Sequence, residues 1–127
     1  MVLTLKRAGW ILLLSFVLLV VGCAPEGMNQ SFYDQAIPVF QEIDDDILEQ
    51  ERSDRDDLLN LELLRDEAQT KKEKLVVEMI QDLVNMQEPI SRGDQTIISQ
   101  YLDLREDIED VLEYDLPPAQ FLDNNLN

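Results

Sequence analysis

The chain contains no histidine, one cysteine and only ten basic residues among its 127 positions. Without histidine it lacks the side chain most often used as a general base or neutral metal ligand near pH 7. A lone cysteine offers no disulfide within the chain. The shortage of bases is set against twenty-seven acids and gives a formal net charge of −17. Such a field repels nucleic acid and a bare anionic membrane, both of which are bound through Lys and Arg. Aromatic residues are few as well. Beyond residue 22 they are Phe32, Tyr33, Phe40, Tyr101, Tyr114 and Phe121, with no tryptophan, which limits the chain to a modest single core. Ser53, Ser91 and Ser99 have no evident activator, so only a two-carboxylate hydrolase remains arithmetically open, and a core this small gives it little to stand on. The composition points away from an enzyme and away from a bound cofactor.

What is present begins with a short basic start, Lys6 and Arg7, and an apolar run from Trp10 to Val21 broken only by Ser15. This is the outline of a signal peptide. The run falls short of the ~20 apolar residues that span a bilayer, and it ends in small residues rather than in a basic flank. At its edge stands Leu19-Val20-Val21-Gly22-Cys23. The order of an aliphatic residue, a small or β-branched residue, Gly and then Cys resembles the lipobox of bacterial lipoproteins. That resemblance implies cleavage before Cys23, a diacylglyceryl thioether on its sulfur, and a mature chain held to a membrane by acyl chains, including palmitate-type chains. Each buried methylene contributes about 0.8 kcal/mol, so two or more chains anchor stably where one would dissociate. Ala24 after the cysteine, rather than Asp, implies outer-membrane delivery in a Gram-negative envelope, and the extracytoplasmic face of the cell membrane in a Gram-positive one. Loss of residues 1–22 removes Lys6 and Arg7 and no acid, which takes the net charge from −17 to −19.

The expected organisation is a signal peptide over 1–22, a lipidated Cys23 with a short tether over 23–30, an acidic helical domain over 31–116, and a tail over 117–127. The tether contains Pro25 and Gly27, and the seven residues from Ala24 to Gln30 reach at most about 25 Å. Ala36, Phe40, Ile43 and Ile47 then fall on one helical face, with Pro38 marking either a separate turn or a bend. A second apolar pattern runs from about Asp54 to Glu88 through Leu58, Leu61, Leu64, Ala68, Leu75, Met79, Leu83 and Met86. Its polar centre, Gln69 to Glu73, leaves a break there open. The third pattern is the most regular, with Ile97, Tyr101, Leu104, Ile108 and Val111 widened by Ile98, Leu102 and Leu112, and Pro117-Pro118 after it. Ser31-x-x-Asp34, Ser53-x-x-Asp56 and Ser91-x-x-Asp94 precede the three patterns at capping-box spacing. No alternating apolar run or Asn-Gly turn argues for sheet. The spacing therefore predicts an all-α fold, a small antiparallel three-helix bundle or helical hairpin with coiled-coil-like packing. The tail is either frayed or folded back through Phe121 and Leu122.

Phe32-x-x-Gln35-x-x-Pro38-Val39, with Asp66-Glu67-Ala68 and Lys74-Leu75-x-x-Glu78 further on, is similar to the cell-wall-binding lipoproteins of Gram-positive bacteria. The similarity extends over about residues 1–90. Members of that family carry a lipobox followed by a helical, charge-rich body. This chain is shorter and far more acidic.

Two acidic clusters stand out as candidate sites. Residues 44–57 hold Asp44, Asp45, Asp46, Glu49, Glu51, Asp54, Asp56 and Asp57 against Arg52 and Arg55. Carboxylates so grouped could hold Ca²⁺, with Asp44, Asp45, Asp46, Asp54, Asp56 and Asp57 as ligands, although the spacing lacks the order and central glycine of an EF-hand. The alternative is a solvated helix junction. In the third pattern Glu106, Asp107, Glu109, Asp110 and Glu113 crowd the C-terminal half, where i,i+4 repulsion and the helix dipole both disfavour acids. That breach of a local rule marks either a contact surface for a basic partner, such as a basic envelope protein or cell-wall component, or for a cation, or mere composition. The expectation from sequence is thus a non-enzymatic, surface-anchored lipoprotein with a binding or structural role, or else one that responds to a divalent cation or carries a ligand.

Overall fold

The computed structural model describes residues 22–121, and these residues form four α-helices and no strand: α1 Gln30–Leu48, α2 Arg55–Glu67, α3 Lys71–Ser91 and α4 Gln95–Leu112. The all-α expectation holds. The second apolar pattern, however, is two helices, so the fold has one helix more than the three expected.

The break lies in the polar stretch at its centre, and the local chemistry explains it. Thr70 has extended backbone, its hydroxyl accepts from the Glu73 amide, and the Glu73 carboxylate accepts in return from the Thr70 amide, a complete capping box. A helix that starts afresh at Lys71 cannot also continue from α2. The serine-led signals near the other starts are displaced from the true caps. Asp54 caps α2 by accepting from the Asp57 amide, and Asp94 caps α4 by accepting from the amides of Thr96 and Ile97. Ser31 lies inside α1, and Ser91 is the last residue of α3.

Pro38 sits within α1 without ending it. The helix buries Phe32, Tyr33, Ala36, Val39, Phe40, Ile43 and Ile47 on the face its spacing predicts. In α4 the buried stripe is Ile98, Tyr101, Arg105, Ile108 and Leu112, turned by about one residue from the expected one, and Leu102 lies outside it, 43% exposed. α3 contributes Val76, Val77, Ile80, Leu83 and Ile90, and it packs against all three other helices. α2 is the least embedded, with only Leu61 and Leu64 buried.

Two contacts fix the relative directions. The Asn29 amide meets Glu73 at the start of α3, while the Ser53 amide meets Gln87 near its end. α1 and α3 therefore run parallel, and α2 and α4 return antiparallel between the same two ends. The first end gathers residues 22–29, the α2–α3 turn and the end of α4; the second gathers the α1–α2 and α3–α4 turns.

The segment expected to be a tether is instead folded against the first end. Pro25 and Met28 are buried. The Thr70 hydroxyl and Lys72 ammonium donate to the carbonyls of Gly27 and Glu26, at 2.7 and 2.9 Å. Gly27 takes φ +86°, a left-handed conformation that glycine adopts without steric cost. The tail is likewise folded back as far as residue 121: the Phe121 ring meets Tyr101 edge-on with centroids 6.0 Å apart. Leu122 lies outside the described residues.

Candidate functional site

Cys23 is free and exposed at the edge of the first end, two residues before buried Pro25. Gln30, in the first turn of α1, holds this stretch in place: its side-chain oxygen accepts from the Ala24 amide at 3.0 Å and its amide group donates to the Gly22 carbonyl. Leu19, Val20 and Val21 lie outside the described residues. The positioned part of the motif is therefore Gly22-Cys23, with Cys23 exposed.

The acids of residues 44–57 do not act as one group. Asp44 is buried in α1 and accepts from the Tyr101 hydroxyl and from Arg105 Nε, the latter at 3.1 Å. Burial, and then the adjacent Asp44 charge, push the Tyr101 hydroxyl far above its ordinary value. Burial alone would lower Arg105, but the hydrogen bond and charge of Asp44 outweigh it and raise it. Asp54 is committed to the α2 cap, while Asp45 and Asp56 face solvent. Asp44 is thus committed to Tyr101 and Arg105, while Asp54 is exposed and accepts from one backbone amide at the start of α2.

Three of the remaining acids, Asp46, Glu49 and Glu51, bring one carboxylate oxygen each to within 4.8 Å of the others, which is a spacing a divalent cation could bridge. On its other side Asp46 faces α2, accepts from the Ser53 hydroxyl at 3.0 Å and shares a hydrogen bond with Asp57. Burial, and then the Asp57 carboxyl, raise Asp46 to about 7. One turn earlier, Glu42 is raised by burial and by its own hydrogen bond to Asp57. The α1–α2 seam is thus lined by Glu42, Asp46 and Asp57, and no ion pair to a cation reaches any of them among the described residues.

Of the acids in α4, Glu106, Asp107, Asp110 and Glu113 are exposed. Glu109 is not. Its side chain turns inward, accepts from the Leu116 amide at 2.7 Å and lies 3.9 Å from Arg105. The expected surface therefore loses its middle member, and the Glu109/Glu113 repulsion is offset at Glu109 by a cation and a backbone donor.

No family model, curated protein or solved structure matched this chain. Its function has to be argued from its own residues.

Two interactions went unread in the sequence. Arg105 is the only base within the α4 pattern, and it occupies the i+4 position from Tyr101 on the apolar stripe. A lone arginine on an otherwise apolar face signals a buried partner. Glu73 is the second: it is fully buried and accepts from the amides of Asn29, Gln69 and Thr70. Burial would raise it, yet these backbone donors together hold it below its ordinary value. Its signal was Thr70-x-x-Glu73 inside the polar stretch.

Proposed function

We propose that the chain is a bacterial envelope lipoprotein, attached to a membrane through acyl chains on Cys23, whose helical domain has a binding or structural role on the extracytoplasmic side. The observation that carries this reading is the Leu19-Val20-Val21-Gly22-Cys23 sequence at the end of an apolar run, with the cysteine exposed immediately before the folded domain. The sulfur is open to an acyl-transfer enzyme, and the chain on its C-terminal side becomes structured within two residues. None of the described helices is long and apolar enough to cross a membrane, so acyl chains would supply the attachment that the domain lacks. Ala24 after the cysteine would direct such a lipoprotein to the outer membrane in a Gram-negative cell, and in a Gram-positive one the anchor would sit on the outer face of the cell membrane. The weaker likeness to cell-wall-binding lipoproteins fits the same class of protein. A partner for this domain would be a basic envelope protein or a cell-wall component, since acids dominate its exposed surface.

The test is the intact mass of protein extracted from membranes, combined with mapping of the N-terminal peptide. Acylated Cys23 as the first residue is expected. An unmodified Cys23, or a retained Met1, would overturn the reading.

A second reading is favoured by the 4.8 Å grouping of Asp46, Glu49 and Glu51 at the end of α1. There the domain would respond to a divalent cation. Calcium titration should then raise the melting temperature, and a flat titration would remove this reading.

A further inference from the structure

Among the described residues α2 carries three of the five exposed large apolar side chains, Leu58, Leu59 and Leu63, on a helix otherwise rich in charge. Leu59 and Leu63, one turn apart, are 55% and 53% exposed. Leu63 continues into a shallow groove of about 290 Å³ between α1 and α2, whose floor includes Pro38 and Val39. Leucine side chains left this open mark surface that a partner could cover.

The walls of this groove are acidic. Asp34 and Glu42 line it from α1, with Asn60 opposite. Behind Glu42 lies the seam already described, where Glu42, Asp46 and Asp57 lie together with no ion pair to a cation among the described residues. Along α2, Asp56 stands one turn before Leu59 and Asn60, and Asp66 and Glu67 one turn after Leu63; Arg55 is the single base on that side. The groove thus combines the apolar Pro38, Val39 and Leu63 with two acids, Asp34 and Glu42, and no base. A second copy of this chain is a poor occupant, because each copy would bring the same negative field to the contact.

We propose that the α1–α2 groove is the docking surface for a basic amphipathic helix of a partner protein, whose apolar side chains cover Leu59 and Leu63 and whose Lys or Arg groups meet Asp34 and Glu42. This deepens the binding role proposed above and rests on it only in supposing that a partner exists. The contact moves the expected partner surface away from α4 and onto α2, where apolar area and charge occur together.

The experiment uses the full chain in uncharged detergent and a synthetic amphipathic helix of leucine and lysine, with a second peptide carrying glutamate at every lysine. Binding is followed by the methyl signals of Val39, Leu59 and Leu63. The lysine peptide should saturate and shift these methyls. Leu63→Gln, at an exposed position that should leave helicity unchanged, should weaken it about tenfold or more, the scale of a central contact residue. Equal binding of the glutamate peptide, unchanged affinity of L63Q, or shifts confined to α4 would overturn the proposal. So would self-association of the chain that L63Q abolishes, since the face would then join two copies. The outcome is independent of Cys23: an acylated chain that fails to bind the peptide keeps its anchor and loses only this surface.

Discussion

Arg105 of α4 places its Nε 3.1 Å from the carboxylate of Asp44 in α1, and both side chains are almost wholly withdrawn from water. The same guanidinium reaches the Pro117 carbonyl at 2.5 Å, and Tyr101 donates to the same Asp44 oxygen. One carboxylate therefore ties α4 and the following segment to α1. A buried pair of this kind contributes little over an apolar pair of the same shape, but its disruption leaves an unpaired charge in the interior. Arg105→Met should cost about 3–5 kcal/mol in urea unfolding. Tyr101→Phe removes one hydrogen bond and should cost about 1–2 kcal/mol. If R105M unfolds at the urea midpoint of the parent, the pair is not buried as described.

The α1–α2 seam gives the domain an unusual pH dependence. Asp46 is raised to about 7 by burial and by Asp57, so the folded chain keeps a proton that the unfolded chain has released. The stabilisation is full in acid, below the ordinary carboxylate range, and is lost as pH climbs through about 7. Thermal melts should show Tm falling between pH 5 and pH 8. Asp46→Asn retains hydrogen-bonding capacity toward Ser53 without the charge, and should flatten that fall and raise Tm at pH 8 by roughly 4–8 °C, the shift that about 1 kcal/mol produces in a domain of this size. A Tm that rises toward pH 8 would contradict a raised Asp46.

Glu73 works in the opposite sense. Held below its ordinary value by three backbone donors, it supports the fold above the carboxylate range and ceases to do so as pH falls through its folded value. Glu73→Ala leaves the amides of Asn29, Gln69 and Thr70 without their acceptor and should cost about 2–3 kcal/mol, the upper range for hydrogen bonds to a charged group. Hydrogen exchange at Met28 and Asn29 should quicken more than exchange at Ile108. Uniform quickening across the domain would show that Glu73 has no special hold on the N-terminal segment.

Neighbouring acids in α4 should respond differently to neutralisation. Glu109→Gln weakens the contact with Arg105 and the acceptor for Leu116, and should destabilise the domain by about 1 kcal/mol. Asp110→Asn removes an exposed negative charge from the last turn and should stabilise it by a few tenths of a kcal/mol. Glu113 adopts φ 51°, the left-handed conformation that suits glycine at a helix end, so Glu113→Gly should add about 1 kcal/mol. Matching losses for all three changes in denaturant melts would return these acids to a single class.

The α1 face was legible because Ala36, Phe40, Ile43 and Ile47 obey the helical period, with Pro38 the one apolar residue opposite them. The α4 face was harder to read. Ile97, Leu104 and Val111 set the apparent stripe and Leu102 widened it, whereas the true stripe admits Arg105, which periodicity scores as polar. The break before α3 was visible only as a polar stretch; its cause was a Thr–Glu pair whose meaning depends on both residues being buried or turned inward. The acidic clusters misled for a related reason. Sequence places Asp44, Asp45 and Asp46 side by side, but a helix turns successive residues by about 100°, so one enters the core, one meets water and one meets α2. Asp56 and Asp57 separate in the same way. Charge density along the chain therefore overstated how many acids share a surface.

The docked segment at residues 25–28 also sets how the domain would stand over a membrane. Were Cys23 acylated as proposed, only Ala24 would separate the lipid-bearing residue from buried Pro25, a span of about 7 Å at full extension. The first end would then be pressed against the headgroups, and helices of 18 to 21 residues would carry the opposite turns roughly 30 Å outward. A lipoprotein on a long leash samples a hemisphere, whereas one held this closely searches in two dimensions at a fixed height. Partners rooted in the same leaflet would meet it at high effective concentration, and those farther away than its own length would have to come to it.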